Sequence, residues 1–219
     1  MKALRIAIPA AASVVLALIA CNVAATPSPS PATARPAPSG RLAPGTYRSD
    51  IATFTLPAGW TSPDGLTYLK PDANPPTGMV VNTWRIAAVY SDPCHWQTTR
   101  AAVGPTVDNV VAALAAQKRG GPSITPVDVT IDGFHGKQID LMVPLDVTFA
   151  NCDGGQYHSW VDSGGGDRFN QGPGQHDLLQ ILDVRGTTLV IKESFYPANT
   201  AADRAELQAI VDSIKITPP

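Results

Sequence analysis

Proline and glycine, 21 and 18 of 219 residues, interrupt this chain too often for a coiled coil or a helix bundle. Proline fixes φ and removes a backbone donor, and glycine weakens helix interiors, so long helices have few places to run. Hydrophobic residues still make up 44% of the chain, enough for one ordinary domain with appendages. Sixteen basic against 18 acidic side chains leave a net charge of −2, which offers no basic field for nucleic acid. A compact, β-rich domain is the expectation.

The N-terminus has a different character. Lys2 and Arg5 precede an apolar run from Ile6 to Ile19 that ends at Ala20-Cys21, the layout of a secretory signal. The run is interrupted by Pro9 and falls short of the roughly 20 residues that span a bilayer. Leu18-Ile19-Ala20-Cys21 resembles a bacterial lipobox. The resemblance implies a signal peptide over residues 1–20, cleaved so that Cys21 becomes the N-terminus and carries thioether-linked diacylglycerol. Two or three acyl chains anchor firmly, since each buried methylene contributes about 0.8 kcal/mol. An ordinary signal leaving a free Cys21 is the alternative. Residues 21–44 alternate proline with Ser, Ala and Thr and contain no aromatic residue, so a disordered tether reaching roughly 60 Å is expected, with the domain at 45–219. Residues 42–219 hold 12 basic and 18 acidic side chains, a net −6, so that nearness to a membrane would come from the anchor alone.

Within the domain, Ile51–Leu56 alternates as a strand into the turn Pro57-Ala58-Gly59-Trp60, and Leu66–Leu69 reads as a second short strand. Met79–Tyr90, rich in Val, Ile, Trp and Tyr, reads as one long central strand. Thr106 N-caps a helix with the stripe Val107, Val110, Val111 and Leu114. Lys118 and Arg119 are expected in its last turn, before Gly120-Gly121-Pro122. Val127–Ile131 and Lys137–Val143 form a hairpin, followed by strands at Tyr157–Val161, Leu178–Val184 and Thr188–Phe195, the last two joined by Arg185-Gly186. A closing helix spans Thr200–Ile214. This order predicts an α+β fold, mainly antiparallel sheet packed against two helices.

The segment Phe54-Thr55-Leu56-Pro57-Ala58-Gly59-Trp60, the helix after the long strand and the closing Val211-Asp212-Ser213-Ile214-Lys215-Ile216 resemble secreted actinobacterial lipoprotein domains of the PsbP/Mog1-like type. The resemblance covers roughly residues 45–217 and implies a PsbP/Mog1-like sandwich and a binding or assembly role without catalysis. It carries over no functional residue.

With Cys21 assigned to lipid, Cys94 and Cys152 form an even pair that an oxidising compartment would join; a reactive thiol or metal pair is the alternative. The bond would bring His95 and Trp96 near Tyr157-His158-Ser159-Trp160, with alternation placing His158 and Trp160 on one face. His95, Trp96, His158 and Trp160 are therefore possible ligand contacts. His95, His158, His176 and Asp153 could hold a metal only by converging, which their spacing does not demand, and His135 sits in a turn. Asp162–Asp177 is the least regular stretch, a surface loop or mobile lid. It matches neither a phosphate loop nor a calcium loop, and Ser163 is not in a nucleophile elbow.

Three functions remain. The leading one is a lipid-anchored sensor or accessory domain that binds a protein or small molecule, with no cofactor and no nucleic acid. The others are an envelope enzyme, such as a metal-dependent hydrolase using His95, His158 and Asp153, and a purely structural lipoprotein.

Overall fold

A computed structural model of the protein describes residues 40–98 and 100–219. The chain runs β1 (Gly40–Arg41), β2 (Gly45–Ser49), β3 (Ala52–Leu56), β4 (Thr61–Ser62), β5 (Tyr68–Lys70), β6 (Met79–Trp84), β7 (Ile86–Tyr90), β8 (Arg100–Ala102) and α1 (Val107–Ala115). It continues through β9 (Val127–Ile131), β10 (Phe134–Met142), β11 (Tyr157–Asp162), β12 (Asp167–Asn170), β13 (His176–Val184), β14 (Thr187–Phe195), α2 (Ala201–Asp212) and β15 (Lys215–Ile216). The strands form three sheets, eight-stranded in the order β1-β4-β5-β6-β14-β13-β10-β9, four-stranded as β12-β11-β7-β8 and three-stranded as β15-β3-β2. Among the described residues every pairing is antiparallel, which bears out the α+β class.

The eight-stranded sheet is the middle layer. β13 and β14 pair over nine residues and are apolar on both faces because both faces are covered. On one face, Leu182, Leu189 and Ile191 meet Leu207, Ile210 and Val211 of α2 and Phe54 and Leu56 of β3. On the other, Leu179, Ile181 and Val190 meet Val110 and Leu114 of α1 and Val89 and Trp160 of the four-stranded sheet. Two hairpin turns set register. Asp132-Gly133 and Arg185-Gly186 all have positive φ, as two-residue type I′ turns require.

Both helices begin where the sequence places them. The Thr106 side chain accepts from the Asn109 N–H and the Thr200 side chain from the Asp203 N–H, each answered by a reciprocal bond from the third residue back to the cap. The end of α1 differs from expectation. The helix stops at Ala115, so Lys118 and Arg119 lie beyond its last turn; the Lys118 N–H bonds to Ser91 O instead, and Arg119 is buried.

Three further expectations are corrected. Met79–Tyr90 is two strands, β6 and β7, in different sheets. The break falls at Arg85, whose N–H donates to Asp162 Oδ2 at 2.7 Å and whose carbonyl accepts from the Ser163 N–H at 2.7 Å, so its backbone leaves the central sheet for the β11–β12 turn. The stretch 162–177 is no lid: it forms the β11–β12 hairpin, with Arg168, Asn170, Gln175 and Asp177 buried. The tether does not extend to Pro44, since Gly40–Arg41 pairs with β4 and Leu42 is buried in the core. Cys21, the expected signal and the rest of the tether lie outside the described residues, among which no helix is long and apolar enough to cross a membrane.

Candidate functional site

β14 carries Val190-Ile191-Lys192-Glu193-Ser194 through the middle of the central sheet, where all five residues are buried. Strand alternation sends Ile191 and Glu193 toward α2, and Val190, Lys192 and Ser194 toward the four-stranded sheet. A lysine at such a position has to be accommodated inside, and Lys192 is only 2% exposed.

A chain of hydrogen bonds receives it. Lys192 Nζ donates to Ser194 Oγ at 2.7 Å, and Ser194 Oγ donates to Asp177 Oδ1 at 2.7 Å. Asp177, wholly buried, also accepts from Arg168 Nη2 at 2.7 Å and Nε at 3.1 Å, Gln175 Nε2 at 3.1 Å and Asn170 Nδ2 at 3.2 Å. Ser159 extends the network, donating to Asn170 Oδ1 at 2.8 Å and accepting from Arg119 Nη2 at 3.3 Å. Burial alone would raise the Asp177 carboxyl, but Arg168 and Lys192 beside it, with hydrogen bonds from Arg168 and Ser194, hold it well below the usual carboxylate range. Burial, reinforced by Arg168 and opposed by Asp177, pushes Lys192 down to about 7. On the opposite face burial pushes Glu193 up to about 7, against the hydrogen bond it accepts from Gln180 at 2.7 Å.

Charges inside a protein need partners. On the Lys192 side of the sheet, three buried cations, Arg119, Arg168 and Lys192, face one buried carboxylate, Asp177. Lys192 also lines a hollow of about 320 Å³ between β6 and β12, with Arg168 and Gln175, and with Asp64 and Asp167 exposed on its walls. This hollow adjoins a wider one of about 540 Å³ that reaches Arg85 and the Ser163–Gly166 turn; Asp64, Thr67, Asn82 and Trp84 belong to both. Together they make a cleft with Trp84 common to both parts and with Phe169 and the buried Lys192 in the narrower one. Lys192, Ser194 and Asp177 are the residue types of an activated nucleophile. Their arrangement does not present one, because Ser194 is 1% exposed and its hydroxyl proton is directed to Asp177.

The residues singled out from the sequence occupy another region. Cys94 and Cys152 are disulfide-bonded, and the Asp153 N–H donates to Cys94 O at 2.8 Å, so the expected pinning is present. Trp96 stacks on His158 with ring centroids 4.0 Å apart, and its Nε1 donates to Asp153 O at 2.8 Å. His158 and Trp160 do not share one environment. A bulge between them breaks the alternation, leaving His158 among Trp96, Tyr90 and Phe169 while Trp160 packs edge-on to Trp84 in the core. Burial lowers His158, although Asp167 Oδ2 lies 3.9 Å from its Nδ1.

The imagined metal ligands do not converge. His95 faces Asp153 at 3.5 Å and His176 faces Asp140 at 2.9 Å, while His135 bonds to Thr130 at 2.9 Å. Among the described residues no three His, Cys, Asp or Glu side chains are grouped to hold a metal ion. The cleft itself was missed, although a signal for it exists: Leu189-Val190-Ile191 marks a strand buried on both faces, so Lys192 and Glu193, next in line, have to be buried too.

No family model matches the sequence, and neither does any curated protein. Among solved structures, a protein of Bacteroides thetaiotaomicron VPI-5482 aligns over 82% of this chain and 48% of its own, with 11% identity and a TM-score of 0.34. The chain thus spans about half the length of that protein.

Proposed function

We propose that this chain is a lipid-anchored domain of the cell envelope, PsbP/Mog1-like in type, that binds a small polar ligand in the cleft between β6 and β12 as a sensor or accessory factor without chemistry of its own. The observation that supports it is Lys192, a buried ammonium lining an accessible hollow. Burial that pushes a lysine down to about 7 where it also lines a hollow is an arrangement that clusters at functional sites. The Lys192–Ser194–Asp177 geometry supports binding over nucleophilic catalysis, since the hydroxyl is enclosed.

The cleft is tested by following backbone amide resonances of the full chain while adding amino acids, monosaccharides and short carboxylic acids. Shifts confined to residues 82–85 and 162–175 are expected for at least one compound. If no compound moves them, the proposal fails. The anchor has a separate test in the parent bacterium. Cys21→Ala is expected to abolish lipid attachment and to leave the signal uncleaved, and unchanged processing and acylation would remove the lipobox reading.

A further inference from the structure

We infer that the buried end of the cleft is a binding site for the carboxylate of a small, singly charged ligand, held by the Lys192 ammonium and the neighbouring Asn82 side-chain amide. The inference rests on the cleft being a binding site and adds the class of ligand.

The unused donors come first. An ammonium has three protons to donate, and among the described residues Lys192 Nζ has one partner, Ser194 Oγ. Asn82 lies directly opposite Lys192 across the β6–β14 ladder, and both line the same hollow. Asn82 Oδ1 accepts from Trp84 Nε1 at 3.0 Å, while its Nδ2 has no protein partner among the described residues. Two residues that line one hollow therefore carry N–H protons beyond those that the described residues accept.

Charge specifies the acceptor. The charged groups around Lys192 are Arg168 and Asp167 on β12, Asp177 on β13 and Asp64 in the β4–β5 turn; β6 contributes neutral Asn82, β5 contributes Leu69, and Tyr196 places a neutral phenol nearby. Asp177 is already engaged by Arg168, Ser194, Gln175 and Asn170. One additional negative charge at Lys192 would complete its pairing without disturbing that network. A dianion such as phosphate would instead meet Asp64 and Asp167 at the exposed walls, where like charges repel. A carboxylate has the single charge and the two acceptor oxygens that an ammonium and an amide can share.

The full chain in detergent micelles is titrated with acetate, with acetamide as its uncharged counterpart and with inorganic phosphate, and the amide resonances of Asn82, Gln175 and Lys192 are followed. Acetate is expected to shift them, acetamide not, and phosphate more weakly than acetate. With burial pushing Lys192 down to about 7, acetate binding is expected to weaken at least about tenfold between about pH 6 and about pH 8.5. Lys192→Met is expected to abolish acetate binding and its pH dependence; should that variant misfold, the pH series on the parent chain decides. Acetate binding that is independent of pH, equal in Lys192→Met, or weaker than phosphate or acetamide binding overturns the carboxylate site. If amino acids or sugars still shift the cleft in that case, the cleft reading stands without it; if nothing shifts the cleft, both fall.

Discussion

Replacing Asp177 with alanine is expected to cost about 3–5 kcal/mol of unfolding free energy, a large share of the stability of a domain this size. The carboxylate accepts from Arg168, Ser194, Gln175 and Asn170, and none of these donors can turn to water because all are buried. Without Asp177, Arg168 is left as a buried cation with no carboxylate beside it, and Lys192 loses the one neighbour that holds its pKa up. Asp177→Asn keeps the shape but not the charge, so most of the loss should persist. The double substitution Asp177→Leu with Arg168→Met should recover part of it, because a matched apolar replacement removes both members of the ion pair. Urea unfolding midpoints of the four chains test this, and a loss below about 1 kcal/mol for Asp177→Ala would show that the network is not what holds the two layers together.

The second large effect belongs to the disulfide. Cys94 and Cys152 are 58 residues apart, and closing a loop of that length in the unfolded chain is worth about 4 kcal/mol on the chain-entropy account. The bond also organises its surroundings, since Asp153 binds the Trp96 indole, the Gln97 N–H and the Cys94 carbonyl around it. Substituting both cysteines with alanine is therefore expected to lower the urea midpoint by an amount corresponding to about 4 kcal/mol and to loosen the Trp96–His158 stack. Reducing agent should have the same effect on the parent chain and none on the double variant. A parent chain whose midpoint is indifferent to reductant would contradict this.

Local signals carried much of the fold. Thr106 announced the first helix as its cap and Arg185-Gly186 announced the last hairpin, because those features depend on residues a few positions apart, while the other hairpin turns at Asp132-Gly133 and its second strand starts at Phe134 rather than Lys137. The disulfide followed from counting cysteines. What the sequence hid depends on partners far along the chain. Met79–Tyr90 reads as one strand because its side chains all suit a strand, whereas the break at Arg85 is caused by Asp162 and Ser163, some 77 residues later. The segment Asp167–Asn170 looks like loop because Gly and Asp surround it, yet pairing with β11 makes it a strand and brings Arg168 to Asp177. The aromatic and histidine cluster drew attention because its residue types are rare, but the cleft is built from ordinary Lys, Asn, Gln and Asp whose meaning appears only once burial is known.

β3 lies between β2 and β15, so residues near the start of the folded domain are held by residues near the end of the sequence. The Thr55 N–H donates to Ser213 Oγ at 2.9 Å and the Thr217 N–H to Ile51 O at 3.0 Å. A polypeptide is made, and threaded through any translocation channel, from its N-terminus onward. β3 must then wait with one edge unpaired until Lys215–Ile216 is free, because among the described residues no earlier segment supplies that partner. Completion of the three-stranded sheet is thus tied to the emergence of Lys215–Ile216, long after β3 itself has been made.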